Sequence, residues 1–323
     1  MRRLLTRLST MLLCLGMVAP AAAQAPQYPS RPIRIIVTFS PGGTADALAR
    51  IVAREMAGSL SQSVVVENRS GASGLIGTEY MAKAAADGYT LGVNSVSQIA
   101  LPFAARAIGY DPRSLRPVTL IATVPGLLSA HPSLPARTLQ DVITMARQAP
   151  GTLAYGNPGS LSAAALAMEM MKLQTGSAIT TVSYRGGGPA LVDLVSGAVQ
   201  LGVSGPAAHL PFIRSGELRA IATTGATRSS AVPEVPTFAE SGLPGFDLSD
   251  WYGLVVPLGT PDAIIGVLHS HVARALSKPE VRTALITLGA EPSGMSPEVF
   301  AAFVAQETDK IGTLLTHLNI RLD

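Results

Sequence analysis

Residues 37–58 read VTFSPGGTADALARIVAREMAG. A strand-like run breaks at Pro-Gly-Gly and the chain restarts at once as a helix, from about Thr44 to Leu60. The first N–H groups of a helix have no intrahelical partner and carry partial positive charge, so a helix head holds an anion without a basic side chain. Glycine lets backbone approach whatever lies there. The junction is therefore either a tight turn, with Thr44 capping and Asp46 favouring the helix dipole, or half of an anion site.

The same strand-to-helix rhythm continues outward. IRIIV (33–37) precedes this helix, SVVVEN (63–68) precedes RSGASGLIG and TEYMAKAAA, and DGYTLGVNS (87–95) precedes SQIALPFAARA. A second series follows PVTLIATVPGLLSAHPSLP (117–135): TLAYGN then SLSAAALAMEMMKL, ITTVSY then GPALVDLVSG, QLGVSG, and LRAIATTG. Strands alternating with helices of this length predict α/β architecture with parallel sheets covered on both faces, and the continuous Val/Ile runs fit strands buried on both sides. WYGLVVPLGTPDAIIGVLHSHVARAL (251–276) restarts a strand–turn–helix unit, with helix continuing to Ile320. The expected domains are one lobe from 24–124 plus 253–323 and a second from 125–252, joined by two crossings around a cleft.

Ahead of the lobes lies MRRLLTRLSTMLLCLGMVAPAAA (1–23). Arg2, Arg3 and Arg7 precede a short apolar core and Ala21-Ala22-Ala23, the pattern of a cleaved secretory signal peptide. The expected location is the periplasm. The chain has 24 Lys and Arg against 21 Asp and Glu. Removing the leader takes three arginines and no acids, so the charges balance. Without a basic cluster a nucleic-acid partner is not expected. Cleavage also removes Cys14, the sole cysteine, and with it disulfide or thiol chemistry.

Enzyme signatures are lacking. GASGL and GVSGP stop short of the G-x-S-x-G elbow, and no Walker or dinucleotide glycine pattern occurs. The five histidines are scattered and read as solvated surface groups, so no metal and no cofactor are expected. Five turns rich in Gly, Ser, Thr or Asn remain at strand ends: Ser40–Thr44, Ser70–Gly77, Asn94–Ser97, Asn157–Ser160 and Tyr184–Gly188. In NPGS, Ser160 is a helix cap by type, and in YRGGGPA the proline suits a first helical turn. Each alone is a good turn. Several at corresponding ends of two lobes favour an anion cleft.

At these residues the sequence resembles the substrate-binding proteins of tripartite tricarboxylate transporters, the Bug family of periplasmic solute receptors. YPSRPIRIIVTFSPGGTADALAR, SVVVENRSGASGLIG, AKAAADGYTL, VSYRGGGPALVDLVSG and GFDLSDWYGLVVPLGTP occur in family order from Tyr28 onward. The resemblance implies a two-lobed, type II-like periplasmic-binding fold with the ligand in the cleft between lobes. It implies a small carboxylate ligand (di- or tricarboxylate, acidic amino acid or aromatic acid) and, as partners, one large and one small membrane permease subunit, with the receptor a monomer. Carried over by position, the first wall is Ser40, Pro41, Gly42, Gly43, Thr44 and Asp46, with Ser73, Ser95 and Ser97 nearby. The second is Asn157, Gly159 and Ser160, with Tyr184, Arg185, Gly186 and Gly187 beside it. Ser204 stands where relatives commonly carry an acidic strand end, and LSAAAL stands where they often carry a histidine. A secreted enzyme on the same scaffold, or a sensor for a signalling partner, are the alternative readings.

Overall fold

The computed structural model describes residues 28–105, 107–184 and 186–318. The chain divides into two units, Met1–Ser30 and Arg31–Asp323. The expected leader with Cys14, and Arg185 of the expected second wall, lie outside the described residues.

The first sheet begins with β1 (Ile33–Val37), β2 (Val64–Asn68) and β3 (Thr90–Asn94), linked by α1 (Thr44–Leu60) and α2 (Leu75–Ala82). Ile33, Ile35, Ile36 and Val37 are fully buried, as a central parallel strand covered on both faces requires. After α3 (Val96–Ala104), β4 (Leu115–Pro125) runs directly through Gly126 into β5 (Leu127–Ala130) of a second sheet. That sheet adds β6 (Ala154–Asn157), β7 (Thr180–Ser183), β8 (Leu201–Ser204) and β9 (Arg219–Thr223). Its helices are α4 (Leu139–Gln148), α5 (Ala163–Thr175), α6 (Gly187–Ser196) and α7 (Pro206–Ser215). The chain returns through β10 (Ser249–Pro257), then α8 (Asp262–Ser277), α9 (Pro279–Thr287), β11 (Glu291–Pro292) and α10 (Pro297–Leu318).

The strand orders are β11-β4-β10-β3-β1-β2 and β7-β6-β8-β5-β9. Neither sheet is purely parallel, which corrects the expectation. β10 runs antiparallel to both β3 and β4, and β5 runs antiparallel to both β8 and β9. The reason is connective. β4 leaves the first sheet at the end where β10 enters it, and β5 enters the second at the end where β8 and β9 finish, so each runs against its neighbours.

The helix from Thr44 to Leu60 has the expected ends. Its head is set by Gly43 in extended conformation, and Ser61 closes it in the left-handed region. One hydrophobic cluster runs through both sheets, joining Leu120, Trp251 and Phe300 to Leu128, Tyr155 and Leu201. Trp251 meets Phe300 and Phe303 edge-on, each with centroids 5.8 Å apart.

Gly253 lies at an irregularity in the β10–β4 pairing, and a Cβ there would overlap the buried Phe300 ring. Gly253→Ala is expected to lower unfolding free energy by about 1–3 kcal/mol through overpacking, read as a reduced midpoint in urea with unchanged slope.

Candidate functional site

Each sheet has a point where strand order reverses. In the first, β1 lies between β2 and β3; in the second, β6 lies between β7 and β8. Open α/β sheets bind ligands in the crevice beyond the carboxyl ends of strands at such points. The helices that begin there are α1 and α3 in the first sheet, α5 and α7 in the second.

Their heads differ in what answers the first N–H groups. At α3, Gln98 Oε1 accepts from Ser95 N–H at 2.7 Å and from Ser95 Oγ–H at 2.8 Å. At α5, Ser162 Oγ accepts from Ala165 N–H at 3.2 Å. The heads of α1, α6 and α7 instead follow Gly43, Gly186 and Gly205, and none has a side-chain cap. A Cβ built on Gly205 would stand 3.8 Å from Thr44 Oγ1. The uncapped heads of α1 and α7, one from each sheet, therefore meet at Thr44 and Gly205. Two partial positive charges of about one half each converge there, and the one acid in the first turn of α1, Asp46, is paired with Arg50.

Two expected caps move. Thr44 is the first helical residue rather than the cap, because Gly43 takes the cap position. Ser160 does not cap α5; Ser162 does. Asn157 Oδ1 accepts from Gly159 N–H at 2.9 Å, and Gly159 adopts φ +149°. The turn so formed uses two further residues before the helix starts. Ser160 Oγ instead donates to Ser183 Oγ at 3.3 Å.

Asp46 is 4% exposed and its carboxylate is fully engaged. Oδ2 accepts from Gly42 N–H and Arg50 Nε–H, each at 3.0 Å. Oδ1 accepts from Asn68 Nδ2–H at 3.0 Å and pairs with the Arg50 guanidinium at 2.9 Å. Asn68 also donates to the Phe39 carbonyl at 3.0 Å. Burial pushes the Asp46 carboxyl up, but Arg50, Gly42 and Asn68 together outweigh it and hold it below the usual carboxylate value. Asp46 thus ties the Phe39–Gly43 turn to α1 and to the end of β2. Ser40, Pro41, Gly42 and Gly43 stay exposed on that braced turn.

Tyr184 is likewise committed to the fold. Its hydroxyl donates to Asp193 Oδ2 at 2.6 Å, its ring lies over Gly156, and burial followed by Asp193 pushes its pKa up to about 12. Ser97 Oγ donates to the Leu161 carbonyl at 3.2 Å and so joins the two sheets directly. Ser204 Oγ donates to the Gly205 carbonyl at 3.3 Å. Ser73 is exposed in a left-handed turn at φ +55°.

Three residues were missed by sequence reasoning. Gly205 had a readable signal, since Gly-Pro before an apolar run marks an uncapped helix start. Asp250 and Tyr252 had none, because strand pairing alone brings them to the heads of α1 and α3. His209 also departs from expectation. It is 2% exposed, contacts Ser129 Oγ through Nδ1 at 2.8 Å, and burial pushes its pKa down to about 4.

Two cavities lie elsewhere. One of about 200 Å³ sits beneath α10 against Trp251 and Ser249. The other, about 640 Å³, lies by Arg31, Arg69 and Tyr80. In the second, Arg31 pairs with Asp87 at 2.7 Å and Arg69 stacks 3.7 Å from the Tyr80 centroid. Those cations are already committed within the fold.

Residues 48–320 match the tripartite tricarboxylate transporter family receptor, TctC. The chain belongs to this receptor family. It is similar to BugT of Bordetella pertussis, 40% identical over 313 residues that cover 96% of this chain and 95% of BugT. Among solved structures it is similar to Rpa4515 of R. palustris with adipate. That receptor is 38% identical with a TM-score of 0.84, covering 91% of this chain and 99% of the other. It is also similar to MatC from Rhodopseudomonas palustris with bound malate. There identity is 32% and TM-score 0.80, covering 89% of this chain and 100% of the other. The α/β architecture with two sheets is thus that of the periplasmic receptors of this family, and the receptor family frame makes the strand-end turns the region of interest.

Asp46→Ala is expected to cost about 1–3 kcal/mol at neutral pH, since it removes the one acceptor shared by Gly42, Asn68 and Arg50. A carboxylate held below its unfolded pKa gives stability that is present above that unfolded value and lost as pH falls through the folded one. The gap between the chain and the variant should therefore close below the ordinary value of 3.8, as measured by urea unfolding across an acid series.

Proposed function

We propose that the chain is a periplasmic solute receptor that captures a small carboxylate for a tripartite tricarboxylate-type transporter. The observation that carries this reading is the meeting of two glycine-started, uncapped helix heads, α1 and α7, at Thr44 and Gly205. Backbone N–H groups and helix dipoles hold the carboxylate there; Thr44 and the braced Ser40–Gly43 turn flank it. Residues 24–124 plus 253–323 form one lobe and 125–252 the other, with the ligand between them. The leader is removed on export, the receptor acts as a monomer, and the liganded form docks on a large and a small membrane subunit.

Hydrogen bonds to a charged group contribute about 1.5–3 kcal/mol each, and micromolar affinity corresponds to about 8 kcal/mol. A handful of contacts shared by two lobes is sufficient even after association costs. No chemistry on the ligand is part of the proposal. Ser95 and Ser160 hydrogen-bond Gln98 and Ser183, so neither hydroxyl has a histidine or carboxylate as its recorded partner.

Gly43→Val supplies the test. Gly43 has φ −82°, which any residue adopts, and a Cβ there lies 3.8 Å from the Ser40 carbonyl, an ordinary contact. The variant should fold, with a melting temperature lowered by no more than the few degrees that a poorer N-cap residue costs, yet lose at least tenfold in affinity for the best carboxylate found by thermal shift and calorimetry. Undiminished affinity would remove the α1 head from the site.

A further inference from the structure

Asp250 is a carboxylate that the receptor reading leaves unused. It lies near the start of β10, where two helix heads converge. Tyr252 Oη–H donates to its Oδ2 at 2.8 Å and Trp251 N–H donates to its Oδ1 at 3.0 Å. Val96, the first residue of α3, directs its N–H to the same carboxyl. The Thr44 hydroxyl, at the first residue of α1, interacts with the Tyr252 phenol. Asp250 and Tyr252 thus connect the heads of α1 and α3, and Thr44 is the residue that meets Gly205.

The charges around this group are few. On α1 the charges of Asp46 and Arg50 cancel as an ion pair, so the heads of α1 and α7 together present about one positive charge, enough to balance a single carboxylate. The half charge of α3 is already answered by Asp250. On β4 its partner is the apolar Val124, and on α3 it faces the cap formed by Ser95 and Gln98. On α10 the nearest titratable group is Glu307, also negative and paired with Lys310. On β10 itself it is Tyr252. No ion pair of Asp250 with a lysine or arginine is found among the described residues.

We propose that Asp250 is a specificity-determining residue that limits the ligand to one free carboxylate. A second ligand carboxylate is repelled, whereas an uncharged or cationic second group is accepted. The inference rests on the receptor reading and narrows its substrate class. Even at ~10 Å and an effective dielectric near 20, a like charge changes affinity roughly tenfold.

The test is equilibrium binding of a diacid and its monoamide, adipate against adipic acid monoamide and succinate against succinamate. Each pair matches in length and differs by one charge. At about pH 8 the wild-type chain should bind the monoamide at least tenfold more tightly, and Asp250→Asn should shrink that ratio tenfold or more by improving diacid binding. An equal ratio in both proteins, or a wild-type preference for the diacid, overturns the proposal. If the variant does not fold, a pH series on the wild type decides. Burial pushes Asp250 up to about 6, so the ratio, with the diacid counted as its dianion alone, should narrow as pH falls toward that value, and a constant ratio overturns the proposal. Failure of every carboxylate to bind the wild type overturns the receptor reading and this one with it. Binding of both members at an unchanged ratio removes only the charge rule.

Discussion

A helix that begins after glycine leaves its first N–H groups to whatever stands in front of them. Among the described residues four α-helices begin that way, after Gly43, Gly74, Gly186 and Gly205, and those after Gly43 and Gly205 come from different sheets. Two of them are brought head to head by the direct passage from β4 to β5 through one glycine and the later return through β10. Fold and site follow from the same constraint. Because the crossing strands leave and enter each sheet at the same end, they run antiparallel to their neighbours, and α1 and α7 begin at that end.

Around those heads the chain uses its charged and aromatic groups as scaffolding. Asp46 holds the first turn through Gly42, Arg50 and Asn68; Tyr184 is fixed to Asp193 over Gly156. A site framed by backbone on braced turns needs little ordering when a ligand arrives, which lowers the entropy cost of binding. It also fits a balanced composition, because recognition through N–H groups requires no lysine or arginine in the cleft.

The fold was legible where residue pattern speaks locally. IRIIV and the Pro-Gly-Gly-Thr junction announced a buried strand and a helix whose ends match observation. Strand direction was not legible for β4, β5 and β10, since antiparallel pairing there depends on which sheet each strand joins. Of the candidate site, the glycine starts of α1 and α6 were legible in the pattern, whereas the start of α7 after Gly205 was not picked out. Caps were misread at Thr44 and Ser160 because residue type marks a good cap, but the turn geometry of Gly43 and of Asn157–Gly159 decides which residue occupies that position. Asp250 and Tyr252 are more than 140 residues from α1 and α3 in sequence, and no local pattern carries their role.

Trp251 is the chain's single tryptophan. It lies on β10, the strand by which the chain re-enters the first sheet, beside Asp250 and edge-on to two phenylalanines of α10. Its indole Nε1 is buried without a protein acceptor. The chain thus carries one indole fluorophore at its own crossing point, with an unanswered donor. Excited at the red edge, beyond the absorption of the seven tyrosines, its emission colour and lifetime follow the packing of that strand against α10 without a label.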